Sequence, residues 1–112
     1  MKHARLLPPA LATAAIAGFL ALGPWSPAAA ADLKRAQEIV EGKCFICHGA
    51  DGESSSPIFP RLAGQHAQYT ENQLKSFNKR ERTNDNAVMH GIASKLSELE
   101  MKAVAAYLSG LK

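Results

Sequence analysis

The only two cysteines of this 112-residue chain stand three residues apart in the stretch GKCFICHGADG, Gly42 to Gly52, and His48 directly follows the second. That spacing has three chemical readings: a redox-active thiol pair, half of a zinc site, or the Cys-x-x-Cys-His run to which a c-type haem is attached. In the third, two thiols add across the two vinyl groups of the porphyrin, and the next residue sets an imidazole nitrogen beneath the iron. Cys44 and Cys47 are one helical turn apart, so both face the ring edge as tethers. His48 then becomes the proximal axial ligand.

The remaining residues weigh these readings. Structural zinc takes four ligands, commonly in short pairs, and His66 and His90 lack the H-x(3-5)-H spacing. A thioredoxin-like pair belongs after a strand in a βαβ unit, and no strand-rich alternation is visible. A disulfide closing so small a loop constrains the unfolded chain little. The haem reading is the one the chain favours.

The elements that must position these groups read as helices. DLKRAQEIVEGKC is amphipathic, with Leu33, Ala36, Ile39 and Val40 at helical spacing, and it carries the Cys-x-x-Cys-His run at its end. ADGESSSPIFPRLAGQ reads as loop, because Asp51-Gly52 marks a turn and Pro57 and Pro60 fix the backbone. A loop this long in a small domain is expected to wrap around something. HAQYTENQLKSFNKRE forms a second helix with Tyr69, Gln73, Leu74 and Phe77 to one side, and RTNDNAVMHGIASK reads as an irregular connector. A capping box from Ser97 to Glu100 starts the last helix, which turns Leu99, Ala103, Val104, Tyr107 and Leu108 inward until Gly110 ends it.

Ahead of these lies an address. Lys2 and Arg5, the apolar run Ala10 to Leu22, then Gly23-Pro24, Pro27 and AAAAD follow the order of a secretory signal peptide. The apolar run is shorter than the ~20 residues of a membrane crossing, so no permanent membrane anchor is expected. Residues 1–31 are read as a cleaved leader, with cleavage after Ala30 or Ala31, and residues 32–112 as one domain in the periplasm. The leader holds two of the 13 Lys and Arg and none of the 10 Asp and Glu, which leaves 11 against 10, a net charge of +1. Nothing in that balance points to nucleic acid. A domain of roughly 80 residues is marginal on side-chain packing alone, and a large buried cofactor serves as its staple.

CFICHGADG, PIFPRLAGQ, YTENQL and a methionine ahead of LSELEMKAVAAYLSGL, in that order, resemble a class I c-type cytochrome. Within that group the chain is similar to a single haem domain of the periplasmic cytochrome c4 type. Ala36 departs from the family, which often has glycine eight residues before the first haem cysteine. The resemblance implies an all-α cytochrome c fold, helices wrapped around one covalently attached haem c. It also implies a sixth ligand, a methionine sulfur opposite His48, and assigns it to Met89. The alternatives are a packed core role for Met89 and ligation by His90, while Met101 reads as a packing residue inside the last helix. By the same resemblance the carbonyl of Pro57 accepts from the His48 ring, and Arg61 either pairs with a haem propionate or is a solvated surface residue. Phe59, Leu62, Tyr69, Leu74 and Phe77 are expected to line the pocket. Lys75, Lys79, Arg80 and Arg82 are expected to form a solvated helix face.

With both axial positions filled by protein, the implied function is single-electron transfer between redox partner proteins rather than catalysis. Two rivals remain at this level. One is a haem subunit of a periplasmic dehydrogenase complex; the other is an enzyme or gas sensor from which Met89 easily leaves.

Overall fold

The computed structural model describes residues 27–112, together with Pro9, Ala10 and Gly18. The expected leader, residues 1–31, falls mostly outside the described residues. Helix α1, Pro27–Ile39, begins ahead of the expected mature start and passes into a wider π-helical segment, Val40–Cys44. A short helix α2, Phe45–His48, follows without a break. A loop then leads to α3, Ala67–Asn78, and a second connection to α4, Val88–Ala93, and α5, Glu98–Ser109. No strand occurs among the described residues, and none of their helices is long and apolar enough to cross a membrane.

Helices α1 and α3 both pack on α5, and α4 packs on α3. Their shared core holds Ala36, Ile39 and Val40 from the first arm, Leu74 and Phe77 from α3, and Met101, Val104 and Leu108 from α5. Ala36 is fully buried where the first and last helices meet. A small side chain there lets the two backbones approach, so alanine serves in place of the family's usual glycine. Met101 is 1 % exposed and is a core residue. Ser97 and Glu100 form the expected capping box with both reciprocal bonds, Glu100 N–H to Ser97 Oγ and Ser97 N–H to Glu100 Oε2.

Three expectations are corrected. The connector after α3 is not irregular throughout, because Val88–Ala93 closes into a helix. Leu99 is 80 % exposed: it lies in the first turn of α5, beside a shallow groove shared with Asp32, Arg35 and Ala36 rather than over the core. The basic cluster is not uniformly solvated either. Lys75 pairs with Glu71 at 2.7 Å, and the Arg82 guanidinium lies over the Phe77 ring, 4.5 Å from its centroid.

Candidate haem centre

The site starts from backbone geometry. Gly49 (φ 90) ends α2 and turns the chain back, and Gly52 (φ 77) repeats the manoeuvre three residues on. The Gly52 carbonyl then accepts from the N–H groups of Leu62 and Ala63 at 2.7 and 3.0 Å. That double tie folds the proline loop back over α2. Ser54 completes the closure, its N–H donating to the His48 carbonyl at 2.9 Å and its hydroxyl to the Phe59 carbonyl at 2.5 Å.

His48 is held inside this loop, 6 % exposed, with Phe59 edge-on at 6.0 Å between centroids. Its Nδ1 lies 2.7 Å from the Pro60 carbonyl oxygen. A carbonyl only accepts, so Nδ1 carries the proton and Nε2 keeps the lone pair that ligates a metal. The acceptor is therefore Pro60 and not Pro57. The ties from Gly52 to Leu62 and Ala63 bring the later proline, not the earlier one, against the ring. Arg61 donates to the Ala63 carbonyl and pairs with Glu53 at 3.1 Å on the surface.

Both cysteines are half-buried, Cys44 at the end of the π-helical segment and Cys47 one turn on. Burial pushes the Cys44 thiol up to about 11, against a smaller opposing pull from Lys43. Redox-active pairs have the reverse property, a thiol drawn down toward neutral pH, so the thioredoxin-like reading loses its chemistry. Nor do three His, Cys, Asp or Glu side chains gather around a potential metal site among the described residues, which removes the further ligands zinc requires.

The residues present fit haem: two thiols one turn apart, an imidazole with its ligating tautomer set, and apolar surface on the neighbouring segments. Ile58 in the loop, Tyr69 on α3 and Val88 beside Met89 are all exposed apolar side chains. Leu62 and Met89 pack against the buried core along with Cys44, while Leu74 and Phe77 belong to that core. Tyr69 is 52 % exposed and does not join them. Sequence reasoning missed Ser54 and Asp85, the two residues that close the turns next to His48 and Met89. An aspartate just ahead of an apolar run is a helix-start signal that points to the second.

Helices wrapped around a Cys-x-x-Cys-His run with its histidine buried and oriented define a c-type cytochrome domain. Residues 33–112 match the family model Cytochrome c, and the chain belongs to that family of electron-transfer proteins. Its haem c is attached through Cys44 and Cys47. Within the family the chain resembles one haem domain of cytochrome c4. It is 43 % identical to cytochrome c4 of Azotobacter vinelandii over 84 residues, covering 70 % of this chain and 40 % of that protein. It is 41 % identical to cytochrome c-554(548) of Halomonas halodenitrificans over 69 residues, 61 % of this chain and 83 % of that one. The crystal structure of reduced cytochrome c4 from Pseudomonas stutzeri superposes with a TM-score of 0.69 at 35 % identity, covering 74 % of this chain and 50 % of the other. This chain thus spans less than half of the A. vinelandii protein.

Proposed function

We propose that this chain is an exported, periplasmic one-electron carrier whose single haem is ligated by His48 and Met89. The observation that carries the reading is the buried His48 ring, fixed by Pro60 in the tautomer that offers Nε2. Bound there, the haem supplies an iron that takes up and gives back one electron. His48 would hold the iron through a nitrogen whose basicity the Pro60 bond raises. Met89, half-buried against the core, supplies a thioether from α4, a ligand that raises the potential. The apolar packing around Phe59 and Leu62 excludes water and disfavours the extra charge of the ferric state. Arg61, paired with Glu53 on the surface, is the candidate partner for a propionate.

Filled on both faces, such a centre has no open position for oxygen or carbon monoxide. Purified holoprotein should therefore show the weak near-infrared charge-transfer band of thioether bound to ferric haem, and its reduced form should not bind carbon monoxide on mixing. Absence of the band with immediate carbon monoxide binding would overturn the carrier reading.

A second reading has one observation behind it. The chain is 44 % identical over 70 residues to a protein of Thiomonas intermedia named thiosulfate dehydrogenase electron acceptor, of which it covers 31 %. That favours a dehydrogenase as electron donor, with this chain as its haem subunit or immediate acceptor. Native purification that brings a dehydrogenase along would select it.

A further inference from the structure

Helix α4 is six residues long, too short to persist on its own. It is entered through two consecutive non-glycine residues in the left-handed region, Asn86 (φ 48) and Ala87 (φ 64), an entry that costs backbone energy. Something must hold it, and two bonds converge on one residue, His90. Its backbone N–H donates to Asp85 Oδ2 at 2.8 Å, while the other carboxylate oxygen accepts from Ala87 N–H at 3.2 Å. Its ring Nδ1 lies 3.0 Å from the carbonyl oxygen of Phe77, at the end of α3, and donates to it.

The anchor at the far end of that bond is itself fixed. The Phe77 side chain is buried in the core, and Arg82 covers its ring. Arg82 is held in turn by Gln73 Oε1 at 2.8 Å and Asn84 Oδ1 at 2.9 Å.

We propose that His90 and Asp85 form a clamp that positions the neighbouring Met89, pinning α4 along its axis through the Asp85 carboxylate and sideways through the Phe77 carbonyl. The proposal rests on Met89 being the sixth ligand. A thioether is a neutral ligand on a side chain with three rotatable torsions, so where its sulfur rests depends on where the backbone is held. His90 is thus a positioning residue. Its ring proton is committed to α3, and its effect reaches the iron only through Met89.

The test is the rate at which saturating imidazole enters the ferric holoprotein, which is set by departure of the methionine. Losing one such hydrogen bond should speed entry by about three- to tenfold in His90→Ala. His90→Asn, whose amide nitrogen stands close to the Nδ1 position, should return the rate toward wild type. Ser97→Ala, which weakens the cap of α5, should lower the melting temperature without changing the rate. A wild-type rate in His90→Ala, or a rate in His90→Asn as fast as in His90→Ala, overturns the clamp. Should His90→Ala yield no holoprotein, Asp85→Asn carries the same test, a faster rate expected and a wild-type rate overturning it. A wild type that lacks the near-infrared band and takes imidazole within the mixing time overturns the ligand assignment itself.

Discussion

The Nδ1 atom of His48 donates to the carbonyl oxygen of Pro60 across 2.7 Å, twelve residues away in the chain. Pro60 does not reach the ring unaided. The Ser54 hydroxyl donates to the adjoining Phe59 carbonyl and accepts from the Ser56 N–H, while the Ser54 N–H donates to the carbonyl of His48 itself. One serine therefore sets both ends of the bond on the proposed haem ligand.

Ser54→Ala should loosen that bond without removing it. With the Nδ1 proton less strongly engaged, the imidazole becomes a poorer donor and the ferric state is less favoured. The reduction potential should rise, with a stability loss of about 1 kcal/mol from the missing hydroxyl bonds. Potentiometric titration of the holoprotein decides it; an unchanged potential in a normally folded variant would show that the loop holds Pro60 without Ser54.

Gly49 and Gly42 flank the same motif and should respond oppositely to alanine. A Cβ on Gly49 would stand 2.9 Å from Ser54 N and 3.2 Å from Ser54 Cα, both backbone atoms, at a φ of 90. Strain at such a φ costs about 1–3 kcal/mol before the clash is added. At Gly42, inside the π-helical segment, a Cβ meets nothing within 4 Å, and alanine should stabilise by about 0.5–1 kcal/mol. Thermal melting of the two holoproteins tests the pair, and equal shifts in the same direction would refute it.

Acid stability has a source in the α5 cap. The Ser97 N–H, and secondarily Arg35, hold the Glu100 carboxyl below its ordinary value of 4.5. A carboxyl depressed in the folded state contributes stability above its unfolded value and loses it as the pH falls through the folded one. Glu100→Gln should therefore be the less stable protein at pH 7, and the gap should narrow as the pH drops below about 4.5. Denaturant unfolding at the two pH values measures it. Ser97→Ala should cost about 1 kcal/mol at pH 7. A gap between Glu100→Gln and wild type that is constant with pH would remove the carboxylate from the account.

What the sequence disclosed follows from how local each signal is. Helix α5 is legible because Ser97, Glu100 and the apolar spacing behind them act within one turn of each other. The motif Cys44, Cys47 and His48 is legible for the same reason. The acceptor for His48 is not: Pro57 and Pro60 are equivalent as text, and the choice depends on how Gly52, Ser54 and Ala63 fold the loop. Helix α4 escapes notice because Gly91 interrupts it and two left-handed residues precede it, while the bonds that stabilise it come from Asp85 and the end of α3. Leu99 satisfies a helical pattern yet is exposed, because periodicity names a face and only the neighbouring element decides whether that face is covered.

Attachment and folding should be inseparable. The folded chain holds Cys44 as a half-buried thiol pushed up to about 11, a poor nucleophile at neutral pH. Replacing Cys44 and Cys47 by alanine should abolish haem staining on a denaturing gel and leave a poorly folded chain, since roughly 80 residues lack the core to compensate. Circular dichroism of the variant reads this, and a native melting transition without haem would sink the staple argument.

Met89 and Met101 separate ligation from packing within one chain. Met101 is 1 % exposed in the α5 core, so Met101→Ala should cost about 2–5 kcal/mol and leave the near-infrared band intact. Met89 is half-buried on α4, so Met89→Ala forfeits less packing but should erase the band. Water or His90 in its place favours the ferric state, and the potential should fall, within the ~0.8 V over which axial ligands tune haem. His90 replaces it poorly while its Nδ1 bond to the Phe77 carbonyl holds the ring against α3, so carbon monoxide should bind the reduced Met89→Ala protein readily. Spectra and potentials of the two variants decide the assignment. A band that survives Met89→Ala and vanishes in Met101→Ala would transfer the ligand to the core helix, and with it the path by which the chain holds its iron.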